Sequence, residues 1–271
     1  MRQYNDWPQV VCTGAIGILV FLYLYRAAST ESDWLLHPRN WGQIVGAGLL
    51  VSLAGYAIFF VVPNILFTVA GAGNRVSMSA AVGIALVLVG VTGWAVAYIS
   101  AEYLRRVGFA LVVALLVGSG CLVNYAIGSF WTAAFQRETT ILAAIHGHFR
   151  TIPEGSALLL DGVCPYVGPA IVFESSWDLR GALSLLYRDP TLRADIVTPT
   201  LKITQDGLET TIYSKKTKYH YGPDLIIYNM PRDMDRRINV RKDAEDYFAN
   251  RGTNLPADCY SGHAGVGVPI F

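Results

Sequence analysis

A chain of 271 residues holds one or two domains, and only 15% of its residues are charged, well below the about 25% that is usual in soluble proteins. The formal net charge is only +1 and neither half has a strong excess of one sign, which argues against a nucleic-acid partner. Residues 1–137 hold seven Arg, no Lys and four acidic residues, whereas residues 138–271 hold fourteen basic and sixteen acidic residues. This composition argues against an ordinary soluble protein and predicts a membrane-embedded first half followed by a water-exposed second half.

Four apolar segments of the first half are near the length of about 17–25 helical residues that crosses the hydrocarbon core of a bilayer. They are residues 10–25, 43–62, 80–99 and 107–127, and we interpret the first as a retained anchor rather than a cleaved signal peptide. The last segment begins a run of thirty uncharged residues, 107–136. The four segments contain no Asp, Glu, His, Lys or Arg, which argues against a pump, a proton relay or a transporter, and against haem or chlorophyll bound through His.

Small residues recur at helical spacing in these segments, and small residues let helices approach closely in lipid. They predict packing among the four helices, with packing against another subunit as the alternative. The predicted helix-packing residues are Gly42 and Gly46, then Ala81, Ala85, Gly93 and Ala97, then Ala110, Ala114 and Gly118. Tryptophans near the segment ends predict anchors at the membrane–water interface, and these are Trp7, Trp34, Trp41 and Trp131.

The arginines beside the predicted spans indicate the orientation of the chain. The loops after the first and third spans carry four arginines, and the opposite side carries two. The positive-inside rule therefore places those two loops in the cytoplasm. We expect a multi-pass protein of the bacterial inner membrane, with its second half on the periplasmic side.

The second half predicts a small extramembrane α/β domain. Residues 130–149 have the spacing of an amphipathic helix that leaves the membrane, and residues 177–187 predict a second helix. Apolar runs predict strands over 157–160, 195–198 and 225–229, with a hairpin formed by 201–204 and 210–214. The expected organisation is a domain of about four transmembrane helices over 1–129, an α/β domain over 130–230 and an extended C-terminal tail over 231–271.

Two cysteines of the second half are candidates for a disulfide. Cys164 and Cys259 lie in the half predicted to be exported, where they are either bonded to each other or both free. A metal site formed by these cysteines with His220 and His263 is disfavoured, because the sequence has no CxxC or HxxxH spacing there.

Three further polar features of the second half have plain structural interpretations. His146 and His148 point to different faces of a helix, so we interpret them as solvated histidines rather than joint ligands. Asp161 precedes a glycine at the end of a strand, which is typical of a turn, although a carboxylate at that place can also be catalytic. Lys215, Lys216 and Lys218 with Tyr219 and Tyr221 predict a solvated basic hairpin end, with binding to lipid headgroups or to an acidic partner as the alternative.

The order of these features resembles a known family of membrane enzymes. An uncharged final span, a helix with an interfacial Trp and the sequence PEGSALLLDG before a small α/β domain are similar to the C-terminal part of bacterial polytopic GT-C-type glycosyltransferases. The resemblance implies sugar transfer from polyprenyl-phosphate carriers on the periplasmic face. Members of that family place a catalytic acid in their first large external loop, whereas the external loops here offer only Asp6. No catalytic residue is therefore carried over.

The sequence identifies no catalytic, cofactor-binding or metal-binding residue, and no cofactor is expected. It favours a non-catalytic integral membrane protein, an accessory or structural subunit that stabilises a larger membrane complex such as a respiratory or photosynthetic one. The expected partners are membrane lipids and other membrane-protein subunits. The alternative is the C-terminal part of a GT-C-type glycosyltransferase that uses a lipid-linked sugar donor.

Overall fold

The computed structural model describes residues 7–30, 37–60, 78, 80–174, 176–212, 215–251 and 259. The chain forms two compact units, Met1–Ser129 and Phe130–Phe271. The first is helical and the second contains the β-strands, so the protein is mostly helical with a small α/β region. The predicted anchor Trp34 lies outside the described residues.

Four helices contribute to the described part of the first unit. They are α1 (Trp7–Thr30), α2 (Pro38–Phe60), α3 (Ala81–Ala97) and α4 (Glu102–His148), of which α4 continues into the second unit. Among the described residues, α1 and α4 are the two helices long and apolar enough to cross a membrane, and α3 is a shorter apolar helix. Large apolar side chains such as Leu19 and Leu115 are exposed on α1 and α4, which is typical of surfaces that face lipid. These two helices indicate membrane association.

The helices of the first unit meet around Trp41, which is only 3% exposed. Its ring centroid lies 5.2 Å from that of Phe109 on α4, and Ala28 of α1 and Val96 of α3 complete the cluster. Gly93 of α3 lies directly against the Trp41 ring, where a side chain would collide. Trp41 is therefore a core residue and the prediction of an interface anchor is wrong for it. An indole near a helix end fills space between helices as readily as it lies among headgroups.

Glycines set the distance between α2 and α3. A Cβ atom on Gly83 would lie 2.6 Å from the carbonyl oxygen of Gly48, and a Cβ atom on Gly90 would lie 2.8 Å from Cγ2 of Val45. Both distances are shorter than real Cβ atoms show, so the two backbones approach to a separation that only glycine permits at these positions.

The predicted helix-packing residues fall into three groups. Those that face a neighbouring helix or the core of the helical unit are Gly93, Ala97, Ala110, Ala114 and Gly118. Ala81 and Ala85 are instead exposed, because the contacting face of α3 carries its glycines. A side chain at Gly42 or Gly46 would meet no described atom within 4 Å.

The described part of the second unit is built on two main sheets and three helices, including the end of α4. Its further elements are β1 (Ala157–Asp161), β2 (Tyr166–Val167), β3 (Ala170–Ile171), α5 (Ser176–Tyr187), β4 (Arg193–Ile196), β5 (Lys202–Ile203), β6 (Gly207–Ile212), β7 (Lys215–His220), β8 (Leu225–Asn229), a 3-10 turn (Met230–Arg232), β9 (Met234–Arg237) and α6 (Arg241–Asn250).

The central sheet has the strand order β4-β1-β8-β9. The strands β4, β1 and β8 are parallel, and β9 runs antiparallel to β8. Every residue of β1 and β8 is buried, as expected for parallel strands covered on both faces. Ile141 and Ile145 of α4 pack on one face with α5, while Leu208 of β6 and Ala244 of α6 belong to the cluster on the other face.

The structure departs from the predicted second half in two places. The predicted hairpin is a three-stranded sheet, β5-β6-β7, whose third strand includes the lysines interpreted as a solvated hairpin end. The chain after residue 230 is not extended over its described part, because β9 joins the central sheet and α6 packs against it. Ile238, Ala244 and Tyr247 supply the buried side chains that hold this segment in place.

Candidate functional site

The carboxyl ends of β1 and β8 lie side by side at the middle of the central sheet. The chain leaves β1 through α5 to β4 on one side, and β8 later pairs with β1 on the other side. Such a reversal of strand order is the place where open α/β sheets usually bind ligands. Asp161 and Asn229 are paired in register at these two strand ends. This edge is therefore the first place to look for a site.

Asp161 is the centre of a buried polar cluster at that edge, formed with Asn229, Tyr247 and Arg251. The hydroxyl of Tyr247 donates to Asp161 Oδ2 at 2.7 Å, and the backbone N–H of Gly162 donates to Oδ1 at 2.9 Å. The amide of Asn229 donates to the Tyr247 oxygen at 3.3 Å. Burial, followed by the bond to Asp161, raises the pKa of Tyr247, so its hydroxyl keeps its proton. The turn predicted here is present, since Gly162 has a φ of 81°, but the Asp161 side chain is buried rather than solvated.

Arg251 and the disulfide complete the surroundings of this Asp161 cluster. The guanidinium of Arg251 lies 3.6 Å from Asp161 Oδ1 and 5.5 Å from the centroid of the Phe248 ring. Cys164 follows Asp161 closely in the chain and is bonded to Cys259, with their Cα atoms 4.9 Å apart. The segment after α6 is thus fastened covalently to the loop after β1.

A second polar cluster lies where α4 ends, and it consists of His148, Tyr228, Asp233 and Asp235. The imidazole Nδ1 of His148 is 2.9 Å from Asp233 Oδ1, and its Nε2 is 2.9 Å from Asp235 Oδ1. The hydroxyl of Tyr228 donates to Asp233 Oδ1 at 2.8 Å. The bond to Asp235, followed by the interactions with Asp233, raises the pKa of His148 against the effect of burial. Tyr228 and then His148 lower the pKa of Asp233.

The prediction that both histidines are solvated is wrong for His148. Its ring centroid lies 4.7 Å from that of Tyr228 in a tilted arrangement and 4.5 Å from that of Phe149 in an edge-to-face arrangement. It lines an open pocket of about 500 Å³ with Ala144, Gly147, Tyr228, Met230 and Asp233. His146 points elsewhere, with its ring 5.8 Å from that of Tyr187. The sequence did not reveal the His148 cluster because both carboxylates come from a segment 85 and 87 residues away.

A third carboxylate, Asp195 of β4, is fully buried between the two sheets. The hydroxyl of Thr210 donates to its Oδ2 at 2.7 Å, and the hydroxyl of Tyr219 donates to the same atom at 3.1 Å. Burial raises the pKa of Asp195, and these hydrogen bonds oppose that rise. Asp195 thereby connects the central sheet to β6 and β7.

The remaining predicted features are the basic edge, the candidate metal ligands and the interface tryptophans. Lys216 and Lys218 form ion pairs with Glu209 and Asp206, so the predicted basic edge is partly neutralised. Among the described residues no group of three potential metal ligands occurs, and His263 lies outside them. Trp7 is exposed at the start of α1, whereas Trp131 is half-buried against the core of the α/β unit.

Each of the three carboxylate clusters joins elements that are distant in the chain, and the carboxylates of the Asp161 and Asp195 clusters are buried, whereas those of the His148 cluster are exposed. The Asp161 cluster joins β1 to α6, the His148 cluster joins α4 to β9, and Asp195 joins β4 to β6 and β7. Their donors come from the protein itself, which is the arrangement of structural cross-links. Comparison with models of known families, with characterised proteins and with solved structures finds no match to this chain.

Proposed function

We propose that the chain is a non-catalytic integral membrane protein that stabilises a larger membrane complex as an accessory or structural subunit. The observation that carries the proposal is the occupation of the sheet's usual ligand position by the Asp161 cluster. There the carboxylate of Asp161 accepts from Tyr247 and Gly162 and lies near Arg251. A carboxylate held in this way fixes α6 to the sheet instead of facing a substrate.

The proposal includes a membrane domain of four spans. It is supported by the exposed apolar surfaces of α1 and α4 and by the glycine-mediated packing of α2 on α3. At 1.5 Å per residue α4 is about 70 Å long, more than twice the hydrocarbon thickness of about 30 Å. Only part of α4 therefore lies in the hydrocarbon core, and the charged residues after position 136 belong to its water-exposed part.

The proposal places the α/β unit on the periplasmic side of a bacterial inner membrane. The bond between Cys164 and Cys259 supports this side, because disulfides form and persist in oxidising compartments. The distribution of arginines around the predicted spans supports the same orientation.

A face of α2 is suited to a helix of another subunit. Side chains at Gly42 and Gly46 would meet no described atom within 4 Å, while Gly48 of the same helix is used against α3. Small residues at such a spacing permit the close approach by which helices associate in lipid. This supports packing against another subunit as the role of Gly42 and Gly46.

The test is purification of the tagged full chain from its own membrane in a mild detergent. We expect the chain to migrate in native gels with one or more other membrane proteins at fixed stoichiometry. Gly42→Leu should release that partner. Gly14→Leu is the matched control, because a side chain at Gly14 also meets no described atom within 4 Å but lies on α1 instead of the proposed face of α2, and it should leave the partner bound. A chain that migrates alone with its detergent micelle would contradict the proposal.

The alternative function, the C-terminal part of a GT-C-type glycosyltransferase, is supported by layout. The long helix α4 leads into an α/β unit that opens with the buried strand Ala157–Asp161, and this is the arrangement that suggested the resemblance. Its test is binding of a polyprenyl-phosphate sugar to the purified chain in lipid nanodiscs. Saturable binding that inorganic phosphate does not displace would favour this alternative over an accessory subunit.

A further inference from the structure

The His148 cluster joins the end of α4 to the segment from β8 to β9, whose Asp233 and Asp235 lie 85 and 87 residues later in the chain. His148 is the last residue of α4 and lies twelve residues beyond the uncharged run that ends at position 136. Tyr228 comes from β8, Asp233 from the turn after it and Asp235 from the edge strand β9. Asp233 has a φ of 50°, the left-handed conformation that Asp tolerates better than most residues, and this turn directs its carboxylate to the ring.

Both ring nitrogens of His148 face a carboxylate oxygen at 2.9 Å. A neutral imidazole has one N–H donor and one acceptor nitrogen, so it donates to one carboxylate and turns a lone pair towards the other. Only the imidazolium donates to both Asp233 and Asp235. The observed geometry is therefore that of the protonated ring, and the Tyr228 ring lies beside it at a centroid distance of 4.7 Å.

We infer that protonated His148 fastens the end of α4 to the corner between β8 and β9, and that loss of its proton loosens this corner. β9 is an edge strand, and within the sheet it pairs with β8. The contact between Asp235 and His148 of α4 therefore gives β9 a second attachment. The inference concerns the α/β unit alone and does not depend on the proposed role as an accessory subunit.

The groups around the ring determine the pH range of this effect. Asp233 and Asp235 face it from the turn and from β9, Tyr228 faces it from β8, and Phe149 contacts it from α4. On α5, the hydroxyl of Tyr187 donates to the carbonyl of Phe149 at 2.6 Å.

The two sides of the cluster titrate in opposite senses. The pKa of His148 is raised above its ordinary 6.5, so its stabilising contribution is fully present below pH 6.5 and is lost as the pH rises through the raised value. The pKa of Asp233 is lowered below its ordinary 3.8, so its contribution is present above pH 3.8 and is lost as the pH falls through the lowered value. The corner is therefore most firmly closed in mildly acidic conditions, between these two ordinary values.

The test is hydrogen–deuterium exchange of the full chain in nanodiscs from pH 5 to pH 9, corrected for the intrinsic rate of exchange at each pH. Peptides covering residues 230–238 should lose about two- to fivefold in protection as the pH rises, the effect of an ion pair whose carboxylates on Asp233 and Asp235 are 75% and 40% exposed. A histidine-labelled NMR sample should show that the loss follows the titration of His148, with a midpoint above the ordinary value of 6.5. Peptides from β1 should keep their protection throughout.

Three variants separate the His148 cluster from general effects of pH. His148→Gln should abolish the pH dependence of residues 230–238, and Asp235→Asn should shift its midpoint downward. His146→Gln is the matched control and should behave as the wild type, because its ring lies near Tyr187 instead. Protection that stays constant while His148 titrates would overturn the inference, as would an unchanged pH dependence in Asp235→Asn. The latter variant keeps the test valid even if His148→Gln does not fold.

Discussion

The hydroxyl of Tyr247 donates a 2.7 Å hydrogen bond to the carboxylate of Asp161, a residue 86 positions earlier in the chain. The bond connects the last described helix to the first strand of the central sheet. It also explains why a polar strand end is buried without being left unsatisfied, since a buried charge is tolerated only where donors surround it. The segment after residue 230 is therefore part of the fold of the α/β unit.

Removal of this hydroxyl should measure how firmly α6 is attached. We expect Tyr247→Phe to lower the free energy of unfolding by about 1.5–3 kcal/mol, because a hydrogen bond to a buried charged group is lost. Denaturant unfolding of the full chain in detergent, followed by tryptophan fluorescence, measures the change. Tyr221→Phe is the matched control, since its hydroxyl donates to the neutral carbonyl of Thr204 at 2.9 Å and its loss should amount to only about 0.5–1.5 kcal/mol. Equal losses in the two variants would contradict a special role for the Asp161 bond.

Apolar runs revealed the centre of the α/β unit but not its edge. The strands β1 and β8 are continuous runs of buried residues bounded by turn residues, and both were predictable for that reason. The strand β9, with the sequence MDRR, has no buried residue and exists because β8 offers it a partner. Strand formation that depends on a neighbour is not visible in local propensity.

The polar clusters were hidden from the sequence for the same reason. Asp161 precedes a glycine, which indicates a turn, and the turn is present; nothing local reveals that Tyr247 lies above the carboxylate. His148 lies at a helix end and its two carboxylates lie in a segment that reads as a polar tail. Trp41 likewise reads as an interface residue by its place in the chain, and only the packing of four helices shows that it is buried.

Asp195 should give the α/β unit a second pH dependence that is separate from that of His148. Its pKa is raised by burial above the ordinary 3.8, so the folded state holds a proton that the unfolded state has released, and stability falls as the pH rises from about 3.8 to the raised value. Asp195→Asn removes this titration. As the pH rises across that interval, the free energy of unfolding should therefore fall less for the variant than for the wild type. Denaturant unfolding of both chains at successive pH values measures this difference. A slope that Asp195→Asn does not alter would show that this carboxyl does not titrate with folding.

The close approach of α2 and α3 predicts that a side chain added at the contact between them lowers stability, whereas one added at a glycine outside that contact does not. Gly83→Val should destabilise the helical unit by about 1–3 kcal/mol, because its Cβ atom would fall within contact of the Gly48 carbonyl and of Ser52 and the helices must separate. Thermal unfolding of the full chain in detergent measures the effect as a lowered Tm. Gly14→Val makes the same chemical change in α1, where the side chain would meet no described atom within 4 Å, and should leave Tm nearly unchanged. A smaller loss for Gly83→Val than for Gly14→Val would show that α2 and α3 pack through other faces.

The bond between Cys164 and Cys259 makes the side of the membrane measurable. Cys12 and Cys121 are free cysteines in α1 and α4, so a Cys12→Ser/Cys121→Ser chain retains only the bonded pair. In intact cells, a membrane-impermeant maleimide should leave this chain unlabelled and should label both cysteines after a brief treatment with an impermeant reductant. Cys164→Ser in the same background should be labelled at Cys259 without reductant, which is the positive control for access. Labelling of the unreduced pair would show that the bond is absent in the cell, and labelling of either chain only after lysis would place the α/β unit in the cytoplasm.

Because the bond closes a loop with a sequence separation of 95 residues, Cys164→Ser should also lower the free energy of unfolding by about 4–5 kcal/mol on the chain-entropy model.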